Sequence, residues 1–263
     1  MNIKRSQIRR FQIIDLIKEK GSVTVSEISE LFQVSGMTIR RDLIELENLG
    51  FVRRTHGGAE LFLQRNYEPP LIARSQEHVL EKEIIGNYAA NLVCEGDCIS
   101  ISEGSTTSEL AKSLTGRNNL TIVTSSLFIA NILADEKNMR VIVSGGVIRR
   151  GERSLIGDIA FYTYQGIYAD KLFLGTGGLD AKAGLTDHNL QEGYVKREMI
   201  KSAKKVIALV DSSKFNTIAL STYCSLEEID CLVSEKMPEG PLLDALKKAN
   251  VELLITESGV LEK

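Results

Sequence analysis

No stretch of the chain approaches the ~18 consecutive apolar residues of a membrane-spanning helix, and no basic segment leads into an apolar stretch and a small-residue cleavage site. No membrane span and no export signal are therefore expected, and the expected location is the cytoplasm. Cysteine is scarce. Cys94, Cys98, Cys224 and Cys231 are scattered through apolar, strand-like segments, with neither CxxC spacing nor a neighbouring His. That pattern argues against a zinc site, and the expectation is buried free thiols, no disulfide and no metal. The GxxxxGK phosphate loop and the GxGxxG dinucleotide fingerprint are both missing, so no cofactor is expected. A disordered chain is excluded by composition: 43% of the 263 residues are hydrophobic and 25% charged, enough for one large domain or two ordinary ones.

Net charge is −3, which by itself disfavours a nucleic-acid partner. The charge is unevenly placed, however. Residues 1–60 hold ten Lys or Arg against eight Asp or Glu, and the rest of the chain holds 22 against 27. Lys4, Arg5, Arg9 and Arg10 cluster near the start, and Arg40, Arg41, Arg53 and Arg54 further on. Local clusters decide attraction to a phosphate backbone more than the sum does.

Residues 22–58 carry the densest pattern. Ile8, Phe11, Ile14 and Ile17 recur at helical spacing and predict a first helix over 6–20. A short second helix follows, with Ser26 as its cap and Ile28, Leu31 and Phe32 as its apolar stripe. Val34-Ser35-Gly36 breaks the period. Ser35 is placed to cap a third helix whose buried face is Ile39, Leu43, Leu46 and Leu49, and Gly50 ends it. Phe51–Gly58 then reads as a ribbon with a basic tip. The architecture is an α+β winged helix-turn-helix. Its third helix has the build of a major-groove reader, since Arg pairs two donors with a guanine edge or neutralises a phosphate. Ser35, Met37, Thr38, Arg40 and Arg41, with Arg53, Arg54 and His56 of the ribbon, form the candidate contact set for double-stranded DNA. The bland alternative for the Arg pair is a solvated helix face.

The run Val34-Ser35-x-x-Thr38-Ile39-Arg40-Arg41-Asp42-Leu43, with Leu46, Gly50 and Arg54-x-His56-Gly57-Gly58-Ala59, resembles the signature of the DeoR family of bacterial sugar-metabolism repressors. The DNA-binding domain is expected over 1–59 and a linker over 60–78, where Tyr67-Glu-Pro69-Pro70 breaks regular structure. Arg74 in this linker also matches the family.

From 79 to 263 apolar strands alternate with helices, which predicts a parallel sheet covered on both faces, an α/β Rossmann-like domain. In such sheets ligands gather beyond the carboxyl ends of the strands. Three strand ends carry small, hydroxyl-rich loops: Ser102-Glu-Gly104-Ser105-Thr106-Thr107, Thr124-Ser125-Ser126 and Ser144-Gly145-Gly146. Each offers N–H groups and hydroxyls to an anion, while each taken alone also reads as ordinary helix capping. Together they suggest a site for a small phosphorylated ligand.

Gly175-Thr-Gly177-Gly178-Leu-Asp180, Gly184-Leu185-Thr186, Glu192, Lys196 and Asp211-Ser-Ser-Lys214-Phe215 extend the resemblance over nearly the whole chain. The family's effector domain is similar in fold to ribose-5-phosphate isomerase and senses phosphorylated sugars. The resemblance implies Lys196 and Lys214 as effector contacts; their alternatives are a solvated helix face and an ion pair with Asp211. Where relatives commonly read Asp-x-Gly-Thr-Thr the chain has Ser102-Glu103-Gly104-Ser105-Thr106, and where they have Thr-Asn-Ser it has Thr124-Ser125-Ser126.

The rival reading is a sugar-phosphate isomerase with an appended DNA-binding module. Isomerisation needs a general base; the similar isomerases carry carboxylates after the strand corresponding to Lys171–Gly175, whereas here the loop 175–178 has none before Asp180, which leaves Glu103 and Glu192 as the possible bases. The expectation is therefore no catalysis but a ligand-controlled repressor, acting as a homo-oligomer, dimer or tetramer, that presents paired recognition helices to DNA.

Overall fold

The computed structural model describes residues 5–48, 51–61 and 68–256; for Arg5, Gln7, Phe11, Lys18, Asn48 and Leu61 it describes the backbone alone. The expectations on Lys4, on the side chains of Arg5 and Phe11, on Leu49 and Gly50, and on residues 62–67 of the linker lie outside these described residues. The chain divides into two compact units, Met1–Ala73 and Arg74–Lys263.

The first unit comprises α1 (Arg5–Lys20), β1 (Ser22–Thr24), α2 (Val25–Phe32), α3 (Gly36–Asn48), β2 (Val52–Thr55) and β3 (Gly58–Leu61). Ile13, Ile17, Ile28, Ile39, Leu43 and Leu46 are buried together with Val23, Phe51 and Val52. Two apolar positions depart from expectation: Ile8 and Leu31 are exposed, because the stripe on each short helix needs only its inner two or three residues to close so small a core. Thr24, not Ser26, caps α2. Its hydroxyl accepts from Glu27 N at 3.2 Å while Glu27 Oε2 accepts from Thr24 N at 2.7 Å, a reciprocal capping box.

Strand β1 was not expected. It pairs antiparallel with β3, giving a small sheet of order β1-β3-β2. Gly58 makes that pairing possible: a Cβ there would fall 2.0 Å from Val23 O.

A single turn, α4 (Leu71–Arg74), lies at the boundary of the units. The second unit then runs α5 (Val79–Ala90), β4 (Cys98–Ile101), α6 (Ser105–Ser113), β5 (Leu120–Thr124), α7 (Leu127–Leu133), β6 (Met139–Val143), β7 (Val147–Arg149), β8 (Ser154–Ile156), α8 (Asp158–Tyr164), β9 (Lys171–Leu174), β10 (Gly178–Asp180), β11 (Gly184–Asp187), α9 (Leu190–Lys201), β12 (Val206–Leu209), β13 (Ser221–Cys224), β14 (Cys231–Ser234), α10 (Gly240–Lys248) and β15 (Glu252–Ile255). Seven strands form one parallel sheet of order β15-β14-β12-β9-β4-β5-β6.

Both faces of the five inner strands are buried, which is why they read as continuous apolar runs. Ile207 and Leu209 point to one layer with Ile85, Leu110 and Ile129, while Val206 and Ala208 point to the other with Tyr164, Met199 and Leu246. From β4 the chain winds outward to β5 and β6, then returns to lay β9 on the other side of β4. The strand order therefore reverses between β4 and β9, and their carboxyl ends open the crevice where doubly wound sheets place ligands. Two antiparallel additions were not foreseen: the β7–β8 ribbon and the sheet β10-β11-β13.

All four cysteines are free thiols, but only Cys224 and Cys231 are buried; Cys94 is exposed and Cys98 half-buried, because both lie at the solvent-facing entrance to β4. Burial pushes the Cys231 thiol up to about 12.

Candidate functional site

The helix-turn-helix is built by local hydrogen bonds. Gln33 takes the left-handed conformation, Val34 N donates to Ser29 O at 3.2 Å, and Ser29 Oγ donates to Val34 O at 2.5 Å. Ser35 then caps α3 as expected, its Oγ accepting from Thr38 N at 3.3 Å and lying 3.0 Å from Thr38 Oγ1. With Ile39, Leu43 and Leu46 inward, the outward face presents Met37, Arg40 and Arg41 as exposed side chains with Thr38 half-buried beside them. Arg40 and Arg41 make no hydrogen bond or ion pair among the described residues.

The other cations are less free. Arg9 and Arg10 lie within α1 and both bind the buried Asp42, at 2.7 and 2.9 Å. They fasten α1 to α3 and are not a free basic cluster, a correction that follows from the cost of leaving that carboxylate unpaired. On the wing, Arg53 Nε donates to Glu60 at 2.7 Å and Arg54 Nε to Glu47 at 2.6 Å, while His56 is exposed at the tip. The Arg54 side chain and backbone N–H hold the Glu47 carboxyl below the usual carboxylate range. Both wing pairs are largely exposed, so each stabilises by roughly 0–1 kcal/mol and a phosphate can displace it.

In the second unit, the predicted hydroxyl loops occupy the ends of β4, β5 and β6, and nearly all of their side chains are buried. Most of them hold the loops themselves. Ser102 Oγ accepts from Gly175 N at 2.9 Å, tying the two loops at the switch point together. Thr107 Oγ1 donates to Gly104 O at 3.1 Å, Thr124 Oγ1 to Ile101 O at 2.7 Å, and Ser126 Oγ accepts from Ile129 N at 3.2 Å as the cap of α7. Ser125 Oγ donates to Glu103 Oε2 at 3.2 Å. Gly104 holds φ +147, a conformation that favours glycine, and so lets the chain turn directly from β4 into α6. The hydroxyls of Ser105 and Thr106, in the first turn of α6, have no partner among the described residues.

Gly145 and Gly146 do not belong with them. They lie after the edge strand β6, two strands from the switch point, and are packed against α8. A Cβ on Gly145 would fall 2.4 Å from Ile159 Cγ2, and one on Gly146 2.5 Å from Ile156 O. Close packing accounts for these glycines without an anion.

Lys196 is buried, not solvated. Its Nζ lies 2.6 Å from Asp187 Oδ2, 3.0 Å from Glu103 Oε1 and 3.1 Å from Gly175 O, with the Tyr223 ring centroid 5.0 Å away. Burial works against the ammonium charge, but Asp187 and Glu103 outweigh it and hold its proton well above the ordinary lysine range. Tyr223 OH donates to Gly175 O at 2.9 Å and closes the group. Beside it, Glu192 of α9 accepts from Arg149 and from Ser154 of the β7–β8 ribbon.

At the end of β12, Asp211 caps a short turn by accepting from Ser213 N at 3.2 Å. Lys214 in that turn forms no ion pair with Asp211, contrary to its bland alternative. It instead stands near Lys82, whose Nζ donates to Arg74 O at 2.5 Å and Glu77 O at 2.6 Å. Burial, together with the nearby Lys214 and Arg74 charges and against that of Asp211, brings Lys82 down to about 8. Arg74 itself is buried and paired with Glu152. Lys214, Arg74 and Asp211 thus all act on Lys82 through their charge.

Of these groups, sequence reasoning missed Lys82, Asp187, Tyr223 and the ribbon's Arg149. Only Lys82 had a signal: it occupies the position before Ile85, Gly86 and Ala89 on the inward face of α5, where a lysine is out of place.

Comparison with known proteins agrees with this architecture. The profile described as a DeoR-like helix-turn-helix domain matches residues 9–65, and the one described as the DeoR C terminal sensor domain matches residues 77–236. The chain is 34% identical over 249 residues to the HTH-type transcriptional repressor GlcR of Bacillus subtilis, spanning 95% of this chain and 96% of that protein. It is 32% identical to the glycerol-3-phosphate regulon repressor of Escherichia coli K12, over 95% of this chain and 99% of that one. Among solved structures, ribose 5-phosphate isomerase A of Methanocaldococcus jannaschii gives a TM-score of 0.39 at 16% identity, over 51% of this chain and 53% of that one. A probable sor operon regulator from Shigella flexneri gives 0.41 at 14% identity, over 70% and 87%. Likenesses that loose carry no functional argument. The two profile matches and the near full-length relatives do: this chain belongs to the DeoR family of helix-turn-helix transcriptional regulators.

Proposed function

We propose that the protein represses an operon for uptake or breakdown of a carbohydrate, and that a phosphorylated sugar controls its hold on double-stranded operator DNA. The observation that carries this reading is Arg40 beside Arg41, exposed and unpaired on the outward face of the second helix of a helix-turn-helix. Ser35, Met37 and Thr38 accompany them at the base edges or phosphates, and Arg53, Arg54 and His56 of the wing take backbone phosphates. Residues 1–59 act as reader, 60–78 as linker and 79–263 as sensor, in the cytoplasm. Two chains of a homo-oligomer present their α3 helices to half-sites about 34 Å apart or a multiple of it.

For the effector, support comes from Lys82 and Lys214 near the end of β12 and the first turn of α6 at the switch point, where Ser105 and Thr106 offer hydroxyls and N–H groups. A phosphate is the ligand group that two lysines and a helix N-terminus favour. Lys196 positions the loops through Glu103 and Gly175, and does not touch the ligand. Binding that favours one arrangement over another by about 1.4 kcal/mol changes operator affinity tenfold.

A sugar-phosphate isomerase is the second reading, favoured by the buried Lys196, Glu103 and Asp187 group. We place it second because both carboxylates are committed to the ammonium and the 175–178 loop supplies no other base. A thermal-shift screen with sugar phosphates beside their free sugars tests the proposal. A ligand at 100 times its Kd adds about 2.7 kcal/mol to stability; stabilisation by free sugars alone overturns the phosphate assignment, and turnover of the ligand restores the isomerase.

A further inference from the structure

The sheet of the second unit has two edges, and they are unlike. On β15 only Glu252 is exposed, whereas β6 presents Ile142 and Val143 at 36% and 40% exposure with Arg140 as its one charge. No proline, bulge or covering strand blunts β6 among the described residues, although an open apolar edge is normally protected. Val147 and Ile148 of the β7 ribbon and Ile159 and Tyr162 of α8 continue the patch, at 54–67% exposure. It wraps around the edge: Ile142 lies on the face covered by α8 and Val143 on the other, Gly145, two residues beyond Val143, lies directly against Ile159, and β7 pairs with β8, which leads into α8.

We infer that this patch is where a second copy of the chain docks, across a twofold axis passing close to Val143. Six side chains so exposed present the equivalent of about three whole ones, roughly 500 Å² at the lower end of the 150–250 Å² of an aromatic side chain, since only Tyr162 is aromatic. That is at the upper end of what a monomer leaves uncovered. Doubled across a twofold, it reaches about 1,000 Å² before any backbone is counted, the threshold for a stable interface. A twofold is also what an edge strand admits. Two copies of β6 related by it run antiparallel, and their outward N–H and C=O groups near Val143 pair with each other. Apolar meets apolar, and each Arg140 stays at the rim.

This surface rests on the homo-oligomer reading above, and sedimentation of the full-length chain separates the two. The wild type is expected to be oligomeric, and Val147→Glu with Ile159→Glu to halve its mass or weaken self-association about 100-fold, the size of a lost interface anchor pair. The exposed apolar pair Ile218→Glu and Leu220→Glu, which flanks Ala219 where it bonds Thr186 of β11, should leave the mass unchanged. Should the double variant fold poorly, Val143→Cys in a Cys94→Ser, Cys98→Ser background decides, because residues beside a twofold axis link to their own copies with a short bis-maleimide. An oligomer that keeps its mass in the double variant, or gives no linked dimer through residue 143, overturns the surface alone; a wild type monomeric at every concentration overturns the oligomer as well.

Discussion

Replacing Lys196 by methionine preserves most of the side chain's volume and removes one charge from the interior. Glu103 and Asp187, 5% and 2% exposed, are then left facing the same space with no cation between them. Breaking a buried ion pair by deleting one partner costs about 3–5 kcal/mol, and here one ammonium serves two carboxylates, which argues for the upper part of that range. Urea unfolding followed by tyrosine fluorescence reads this directly, because six of the seven tyrosines follow residue 74. A deficit below about 1 kcal/mol refutes the picture of Lys196 as a buried, doubly paired ammonium.

Three other outcomes are expected. Arg40→Ala and Arg41→Ala should each weaken operator binding; a base-reading Arg costs about 1–3 kcal/mol and relaxes sequence preference, whereas a phosphate-binding one lowers the salt slope by about 1, and no change in either variant means that α3 is not the reader. Lys82 sits at about 8, so near that pH an incoming phosphate should raise its proton affinity and draw up to about one proton from the buffer. Calorimetry in buffers of different ionisation heat should show that uptake above about pH 8 and little of it near pH 7, where the group is already charged; equal uptake at both removes Lys82 from the effector site. Gly58→Ala places a Cβ 2.0 Å from Val23 O, so β1 must leave β3. Operator binding should fall at least about tenfold while effector-induced stabilisation of the second unit is kept, and unchanged operator binding would show that the three-stranded wing is dispensable.

The elements that sequence made legible are those whose apolar period is long or continuous. Leu120–Thr124 and Glu252–Ile255 are such runs, three to five successive apolar or β-branched residues, too short for a helix. The β7–β8 ribbon and β10–β11 escaped because Gly178-Leu-Asp180 and Ser154-Leu-Ile156 are three residues long and polar at one end, and only tertiary packing makes strands of them. Ser35 as a cap was readable, since its bonds are three residues away; Asp187 beside Lys196, Arg149 beside Glu192 and Lys82 near Lys214 were not, since the fold brings them together and no spacing announces it. The hydroxyl loops show the converse. Ser102, Thr107, Thr124 and Ser126 were rightly placed at strand ends, yet their hydroxyls are spent on holding the loops, and composition cannot distinguish a donor offered to a ligand from one already used.

Central to this account is the claim that one chain reads DNA with α3 and a phosphorylated sugar with its parallel sheet. Fluorescence anisotropy of the full-length protein on its own promoter, against random duplex and with sugar phosphates beside free sugars, measures both halves at once. The account predicts a preference for the promoter of at least ~10³-fold and a shift of tenfold or more with a sugar phosphate but not with the free sugar. Equal affinity for promoter and random duplex, or a response to the free sugar alone, contradicts it.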